Sequence, residues 1–387
     1  MEQTKERTMQ EWSETKVVDQ HVSDRAEARA PLRLLIIAPS HDILGGQSVH
    51  AAQLVKEFGK EPALRVSFLP INPRAPGFLK YLQRVKFIRT ITTSLIYLIK
   101  LLTKIPHHDV IHVSSAAHTG FIISTMPPVY LGKLFGKKVV LNYHAGQAVE
   151  HLREWKRTAI PTARLADAVV VPSNWLVGVF AEHGLSARAI FNHVELDDFH
   201  FRERKPLRPL FLSNRNFNPI YNVSCVLRAF ALVQKRFHDA RLTVVGDGAQ
   251  RTELEELARD LELSNVEFTG RVAPDEMPKF CDGADIYLNA SNVDNMPLSI
   301  LEAFAAGLPV VTTNAGGIPY VVSHEQTGLL VEMNDHEAMA AAAIRLLEDE
   351  ELAARLTGNA RAECAKYRWD VVRKEWLDFY RKVAGGK

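Results

Sequence analysis

The order of apolar and amphipathic segments predicts an α/β protein made of two consecutive Rossmann-like domains, each built on a parallel sheet. Three observations carry this expectation: a chain of 387 residues, a strand-helix alternation that runs through it twice, and an aperiodic polar stretch between the two series. That length is long for one doubly wound domain and comfortable for two, each with a core of its own.

The first series opens with LRLLIIAP from Leu32. A glycine pair, Gly45 and Gly46, follows, and then Val49, Ala52, Leu54, Val55 and Phe58 repeat at helical spacing. Further apolar runs stand at 110–113 (VIHV), 138–143 (KVVLNY) and 168–172 (AVVVP), each suited to a strand buried on both faces of a parallel sheet. The second series comprises 209–213 (PLFLS), 241–248 (RLTVVGDG), 265–270 (NVEFTG), 284–291 (ADIYLNAS) and 308–313 (LPVVTT), with helical patterns between the runs. Right-handed crossovers are expected in both. The stretch LDDFHFRERKPLRP (196–209) has no strong period and is the candidate linker. These signals divide the chain into a disordered lead over 1–30, a first domain over 31–200, a second over 206–365 and a terminal segment over 366–387. In that last segment Trp369, Val372, Trp376 and Tyr380 form an aromatic stripe at helical spacing, expected to be packing of a docked terminal helix.

Bulk composition narrows the function classes. With 47 Lys plus Arg against 45 Asp plus Glu, the chain does not read as a polyanion-coating protein, and no recognition helix or aromatic-interleaved basic strand suggests a nucleic-acid partner. Cys225, Cys281 and Cys364 are odd in number and far apart, which indicates neither a disulfide framework nor a zinc site and fits a reducing cytoplasm. The polar N-terminus has no apolar core of a secretory signal. His107, His108 and His112 flank a strand start and alternate in direction, an arrangement unsuited to a metal.

The chemistry concentrates in SNVDNMPLSILEAFAAGLPVVTTNAGG (291–317). Pro297 is expected at the first helical position and Gly307 just past the end, with Leu298, Leu301, Ala305 and Ala306 on the buried side. The first turn of such a helix offers backbone N–H groups and the positive end of a dipole to a diphosphate. Glu302, one turn in, suits ribose hydroxyls; Asp294, on the loop before the helix, suits hydroxyls of a sugar. The competing readings are a capping role for Asp294 or Asn295 and a solvated Glu302. Gly316 and Gly317, after the next strand, allow close backbone approach at the sheet edge where ligands of open parallel sheets bind.

At this point the residues resemble the family-4 retaining glycosyltransferases. The family signature is a Glu-x7-Glu pair within a run like EGFGLxxLEAMAxGxPVV, against which this chain places DNMPLSILEAFAAGLPVV in register. The Gly45-Gly46 loop, Asn142-Tyr143-His144, VVVPSNWL, NHVELDDF, VVGDG and VEFTGRV extend the likeness from about Leu32 to the terminal helix. The resemblance implies a GT-B fold, two Rossmann-like domains facing a central cleft, with acceptor binding in the first and nucleotide-sugar binding in the second. It implies transfer from a nucleotide-diphosphate-sugar, expected to be UDP-linked, to a glycan or lipid-linked acceptor with retention and without a metal or resident cofactor. Carried over by position, His144 borders sugar and acceptor, Arg215 meets the diphosphate and Asp294 contacts the donor sugar. Glu302 holds the ribose, with Leu298 and Ser299 one turn before it. Arg271 and Val272 face the base, and Gly45, Gly46 and Gly246 bring backbone to the donor.

Three departures stand out. Asp replaces the first Glu, Pro297 replaces a usual Gly, and the lysine of the family's RxxxxK pattern after Arg215 is absent, because NRNFNPIYN offers Ile220 and Tyr221 there. Another cation, with Arg271 a candidate, would have to serve the leaving diphosphate; otherwise turnover is slow, or the protein binds without turnover. A non-catalytic nucleotide-sugar-binding relative, an epimerase and a phosphorylase are the alternatives.

Between Pro62 and His108 there is no acidic residue, while Arg65, Arg74, Lys80, Arg84, Lys86, Arg89, Lys100 and Lys104 all fall there. Within it Phe87, Ile88, Ile91, Leu95, Leu98, Ile99 and Leu102 form a helical apolar stripe, interrupted by charge too often to span a bilayer. Two readings remain open: peripheral docking on an anionic inner-membrane surface, or an ordinary helix packed on the first sheet with a solvated basic face.

Overall fold

The computed structural model describes residues 30–40, 46–74, 86–144, 147–194 and 196–385. The expected disordered lead therefore falls almost wholly outside the described residues. Within them are two parallel six-stranded sheets. The first contains β1 (Leu32–Ala38), β2 (Leu64–Pro70), β3 (Val110–Ser114), β4 (Lys138–Asn142), β5 (Ala168–Val171) and β6 (Arg188–Ala189), in the order β2-β1-β3-β4-β5-β6. The second contains β7 (Leu210–Asn214), β8 (Arg241–Val245), β9 (Val266–Gly270), β10 (Ile286–Asn289), β11 (Val310–Thr313) and β12 (Leu329–Val331), in the order β12-β11-β10-β7-β8-β9. The second order is that of a dinucleotide-binding Rossmann sheet, whose direction of winding reverses between its first and fourth strands, here β7 and β10.

Three strands have no counterpart among the apolar runs of the sequence, and all three are sheet edges. β2 interrupts its apolar residues with Arg65 and Ser67, β6 is two residues long and β12 three. An edge strand needs ladder bonds on one side only, so it carries little of the continuous apolar signal that a central strand does.

Alternation along β1 shows how each sheet is covered. Leu35 and Ile37 enter one cluster with Phe121, Val129 and Phe180, while Leu34, Ile36 and Ala38 enter another on the opposite face. That second cluster is closed by α1 (Gly46–Phe58), through Ala51, Leu54 and Phe58, and by the last helix of the chain, Trp369–Val383, through Val372, Trp376, Phe379 and Tyr380. The chain thus returns from the second domain to cover the first sheet. Beneath this helix the Tyr380 hydroxyl lies 2.6 Å from Nδ1 of His112. Nε2 of the same ring accepts from the Asn142 amide at 3.0 Å. Burial holds His112 down to about 3, so the ring is neutral and acts as a bridge within the core.

The polar stretch over 196–209 is fastened to the second domain. The Arg204 side chain is almost wholly buried and donates to the carbonyls of Cys281, Ala284, Ala306 and Gly307. Beside it the buried Asp285 carboxylate pairs with Arg202 at 3.2 Å and Arg208 at 2.9 Å. Carbonyls at and just past the ends of two helices find their donor here, which the lack of periodicity in the sequence could not reveal.

The helix carrying the apolar stripe, α2 (Lys86–Lys104), packs inward through Tyr97 and Leu101, with the Tyr97 hydroxyl donating to the Ser124 carbonyl at 2.8 Å. Its stripe faces outward: Ile91 is 70% exposed, Leu95 57% and Ile99 52%, and Ile88, Leu98 and Leu102 are exposed as well. The picture of a helix that buries this stripe on the sheet and solvates only a basic face does not hold. Lys104, counted among the basic residues, turns to the Phe68 carbonyl at 3.2 Å.

Replacing Trp376 by Ala empties a fully buried volume between α1 and the first sheet. Its expected cost is about 3–5 kcal/mol, read as a lowered urea midpoint of the whole chain.

Candidate donor site

At the switch point of the second sheet, β7 ends at Asn214 and hands the chain to Arg215, while β10 ends at Asn289 and leads to the loop of Asp294. The helix Leu298–Ala305, here α3, starts from that loop. Pro297 precedes α3 as its cap residue, in an extended conformation with φ −70° and ψ 113°, instead of occupying the first helical position. The missing N–H is that of the cap residue, one of the unpaired donors at a helix start, while Leu298 and Ser299 inside the helix keep theirs. Neither Asp294 nor Asn295 caps the helix, since no side chain does. α3 is also more completely buried than its pattern suggested: Ile300, Leu301, Ala303 and Phe304 are inaccessible, while Leu298 is turned to the pocket.

Two adjoining cavities meet over this helix start. The larger, about 460 Å³, lies between the domains and is bounded by His144 and Gln147 on one side and by Arg215, Tyr221 and Asp294 on the other. The second, about 400 Å³, runs within the second domain past Gly246, Asp247, Arg271, Val272 and Glu302. Asn214, Arg215, Asn216, Leu298 and Ser299 belong to both. Of the residues singled out from the sequence, His144, Arg215, Gly246, Arg271, Val272, Asp294, Leu298, Ser299 and Glu302 line these two cavities, and Gly46 lines neither. Gly45 lies outside the described residues; Gly46 is the first residue of α1.

Several glycines are required by packing. A Cβ at Gly246 would come within 2.2 Å of the Arg215 carbonyl, and one at Gly317 within 1.8 Å of the Asn295 carbonyl. Gly317 also donates its N–H to the Asp294 carbonyl at 2.8 Å, fixing the acidic loop from behind. From the other side the amide of Asn295 donates to the His144 carbonyl at 3.1 Å, a direct tie between the domains. Asn295, weighed from the sequence only as a cap, is thus an interdomain contact; no local pattern announces that.

Electrostatics divide the site into two ends. In the larger cavity Arg215 and Asp294 form an ion pair through Nη2 and Oδ2, each side chain 12% exposed. Arg215 also donates to the Ser299 hydroxyl at 3.3 Å, and its guanidinium lies over the Tyr221 ring, 4.0 Å from the centroid. Burial pushes the Asp294 carboxyl up from its ordinary value, opposed by Arg215 and by the N–H groups of Asn295 and Met296. Tyr221, noticed in the sequence only as a missing lysine, turns out to be an aromatic platform for the arginine. At the other end burial raises Glu302 to about 6, against a hydrogen bond from Asn214 at 3.4 Å and the nearby Arg215. Arg271 stands at this second end, 3.8 Å from Asp247, and does not line the cavity of Asp294.

His144 packs against His50, ring centroids 4.8 Å apart, and His50 in turn lies 5.8 Å from His193. Burial holds His144 and His193 down to about 4, so both rings are neutral at physiological pH. His144 can offer a neutral donor or acceptor at the cavity wall, and no positive charge.

The sheet orders and the interdomain cavity define a two-domain protein of GT-B architecture. Residues 197–363 match a sequence family described as glycosyl transferases group 1. A GDP-mannose-dependent alpha-(1-6)-phosphatidylinositol monomannoside mannosyltransferase of Mycobacterium tuberculosis is 32% identical over 189 residues, which is 46% of this chain and 49% of that protein. N-acetyl-alpha-D-glucosaminyl L-malate synthase of Bacillus anthracis is 36% identical over 147 residues, 38% of each chain. The matched segments span about half the length of these curated relatives or less. Among solved structures, sucrose-phosphate synthase of Thermosynechococcus elongatus superposes with a TM-score of 0.74 at 21% identity, over 92% of this chain and 100% of that one. Anabaena HepE in complex with UDP and glucose gives 0.70 at 16% identity, over 90% and 99%. At such identities the likeness concerns the fold.

A carboxyl raised in the folded state holds its proton more tightly there than in the unfolded chain. Its favourable contribution is therefore present below the ordinary glutamate value of 4.5 and is lost as pH rises through about 6. Glu302→Gln is expected to stabilise the unliganded protein at pH 8 by up to about 2 kcal/mol, with the gain shrinking toward pH 4.5. Urea unfolding at a series of pH values checks the trend.

Proposed function

We propose that the protein is a retaining hexosyltransferase of the family-4 type, using a nucleotide-diphosphate-sugar donor and a glycan or lipid-linked acceptor. The observation that carries this reading is one continuous pocket in which a helix N-terminus lies between a buried Arg215–Asp294 pair and a raised Glu302. The ribose hydroxyls would bond to Glu302, with the base beyond it near Arg271 and Val272. The diphosphate would rest on the N–H groups of Leu298 and Ser299 and on Arg215, and the sugar would enter the interdomain cavity between Asp294 and His144. In transfer, the bond from the anomeric carbon to the phosphate oxygen breaks and its electron pair stays with the diphosphate. The acceptor hydroxyl oxygen bonds to the anomeric carbon, and its proton passes to the departing phosphate. Arg215 and the helix N-terminus would oppose the charge that develops on the leaving group. The donor is consumed as a substrate and no resident cofactor is invoked. A UDP-linked donor suits the UDP named in the HepE complex, whereas the mycobacterial relative's name specifies GDP-mannose.

The test is transfer or donor hydrolysis by purified protein across a panel of nucleotide sugars, with Glu302→Ala as the binding control. Arg215→Ala is expected to lower kcat/KM on the order of 10²–10³-fold. Nucleotide binding without turnover of any donor would favour the non-catalytic alternative. Sugar conversion without acceptor would favour an epimerase, and phosphate-dependent release a phosphorylase.

A second reading rests on α2. No helix among the described residues is long and apolar enough to cross a membrane, yet α2 presents Ile91, Leu95 and Ile99 to solvent in a segment without acidic residues. This surface suits shallow insertion into an anionic leaflet, which would place the protein at the cytoplasmic membrane face, beside a lipid-linked acceptor. In liposome flotation the chain is expected to rise with vesicles containing anionic lipid and to stay at the bottom with neutral ones. A Leu95→Glu/Ile99→Glu variant should lose the association; indifference to lipid charge rules it out.

A further inference from the structure

The Arg215–Asp294 pair occupies the groups that the donor itself is expected to engage. Each side chain is nearly buried, and Asp294 Oδ1 also accepts from the Asn295 N–H at 2.8 Å. The guanidinium is held toward the acid by the Tyr221 ring on its face and the Ser299 hydroxyl at its Nη1. Among the described residues lining the larger cavity, Arg215 is the one permanent cation, because Ile220 and Tyr221 stand where the resembling family has lysine and Arg271 lies at the far end. Two of the three sequence departures therefore converge on a single pair. A diphosphate that draws on Arg215 takes away the counter-charge of Asp294.

We propose that this pair is a latch opened fully only by an intact nucleotide-diphosphate-sugar, so that the protein prefers its donor to the nucleoside diphosphate released from it. The proposal rests on the reading of the pocket as a donor site. With the whole donor bound, phosphate oxygens engage Arg215 while sugar hydroxyls donate to Asp294, and both members of the separated pair keep partners. A nucleoside diphosphate brings negative charge to Arg215 and no hydroxyl to Asp294. It leaves a desolvated carboxylate without its cation and beside a phosphate, and stranding one member of a buried pair is strongly unfavourable. The consequence is product release driven by re-formation of the pair.

Equilibrium titration of the full chain with UDP-glucose, GDP-mannose, UDP and GDP tests this, with Glu302→Ala as the control for site occupancy. In the wild type the better sugar donor is expected to bind about tenfold or more tightly than its own nucleoside diphosphate. Asp294→Asn should tighten binding of that diphosphate and bring the ratio to within about twofold. Asp294→Glu, which keeps the charge, should keep the preference. A wild-type ratio near one, with both ligands weakened by Glu302→Ala, overturns the latch and leaves the donor-site reading standing. Ligand binding that ignores Glu302→Ala, or no binding at all, overturns both. Should Asp294→Asn fail to fold, the wild-type ratio and the Asp294→Glu variant still decide.

Discussion

In a parallel sheet every strand delivers its carboxyl end to the same edge, and where successive crossovers wind in opposite directions two neighbouring loops must part. In the second domain that divergence falls between β7 and β10, and nearly everything of functional interest follows from it. β7 brings Asn214 and Arg215 to the crevice, β10 brings the Asp294 loop, and α3 starts between them with its N–H groups toward the gap. β8 ends beside them at Gly246, whose missing side chain lets the Arg215 backbone pass. The site is thus a property of strand order first and of residue identity second.

A crevice that gathers charge at a dry sheet edge conflicts with stability. Glu302 is raised to about 6 and Asp294 is raised as well, so the unliganded site holds carboxylates that the fold would prefer protonated. Arg215 relieves part of this cost by pairing with Asp294 and lying near Glu302, with Tyr221 supporting its face. Buried ion pairs contribute little net stability, and their loss of one partner costs several kcal/mol, about 3–5 in measured cases. Such a pair is a poor structural element and a sensitive response to whichever ligand competes for its members.

The two domains are held as partners of this crevice by contacts far apart in sequence. Trp369–Val383 crosses back to cover the first sheet through Trp376 and Tyr380, and Asn295 reaches the His144 carbonyl across the cavity. The imidazoles of His50, His144 and His193, all kept neutral by burial, pack at the junction without adding charge to the cavity. Polar groups that are neutral suit this place, because a cation there would compete with Arg215 for the acid.

Local order was legible wherever one stretch of chain carries its own signal. Central strands such as Val110–Ser114 and Val310–Thr313 are continuous apolar runs because both faces are covered; Gly307 ends its helix with φ of 73°, and the terminal stripe from Val372 to Tyr380 announces a packed helix. The resemblance further aligned Arg215, Asp294 and Glu302 along the chain, and the fold brings them to one pocket. The edge strands β2, β6 and β12, the fastening of 196–209 by Arg204, and the outward turn of the α2 stripe were not legible, because each depends on what lies on the other side of a residue. The sequence by itself determined that acids and a helix start stand close together along the chain; only the tertiary structure decided that Tyr221 and Arg215 meet Asp294 while Arg271 does not. Proximity along a chain is set by covalent spacing, whereas the partner of a buried charge is set by strand order and packing.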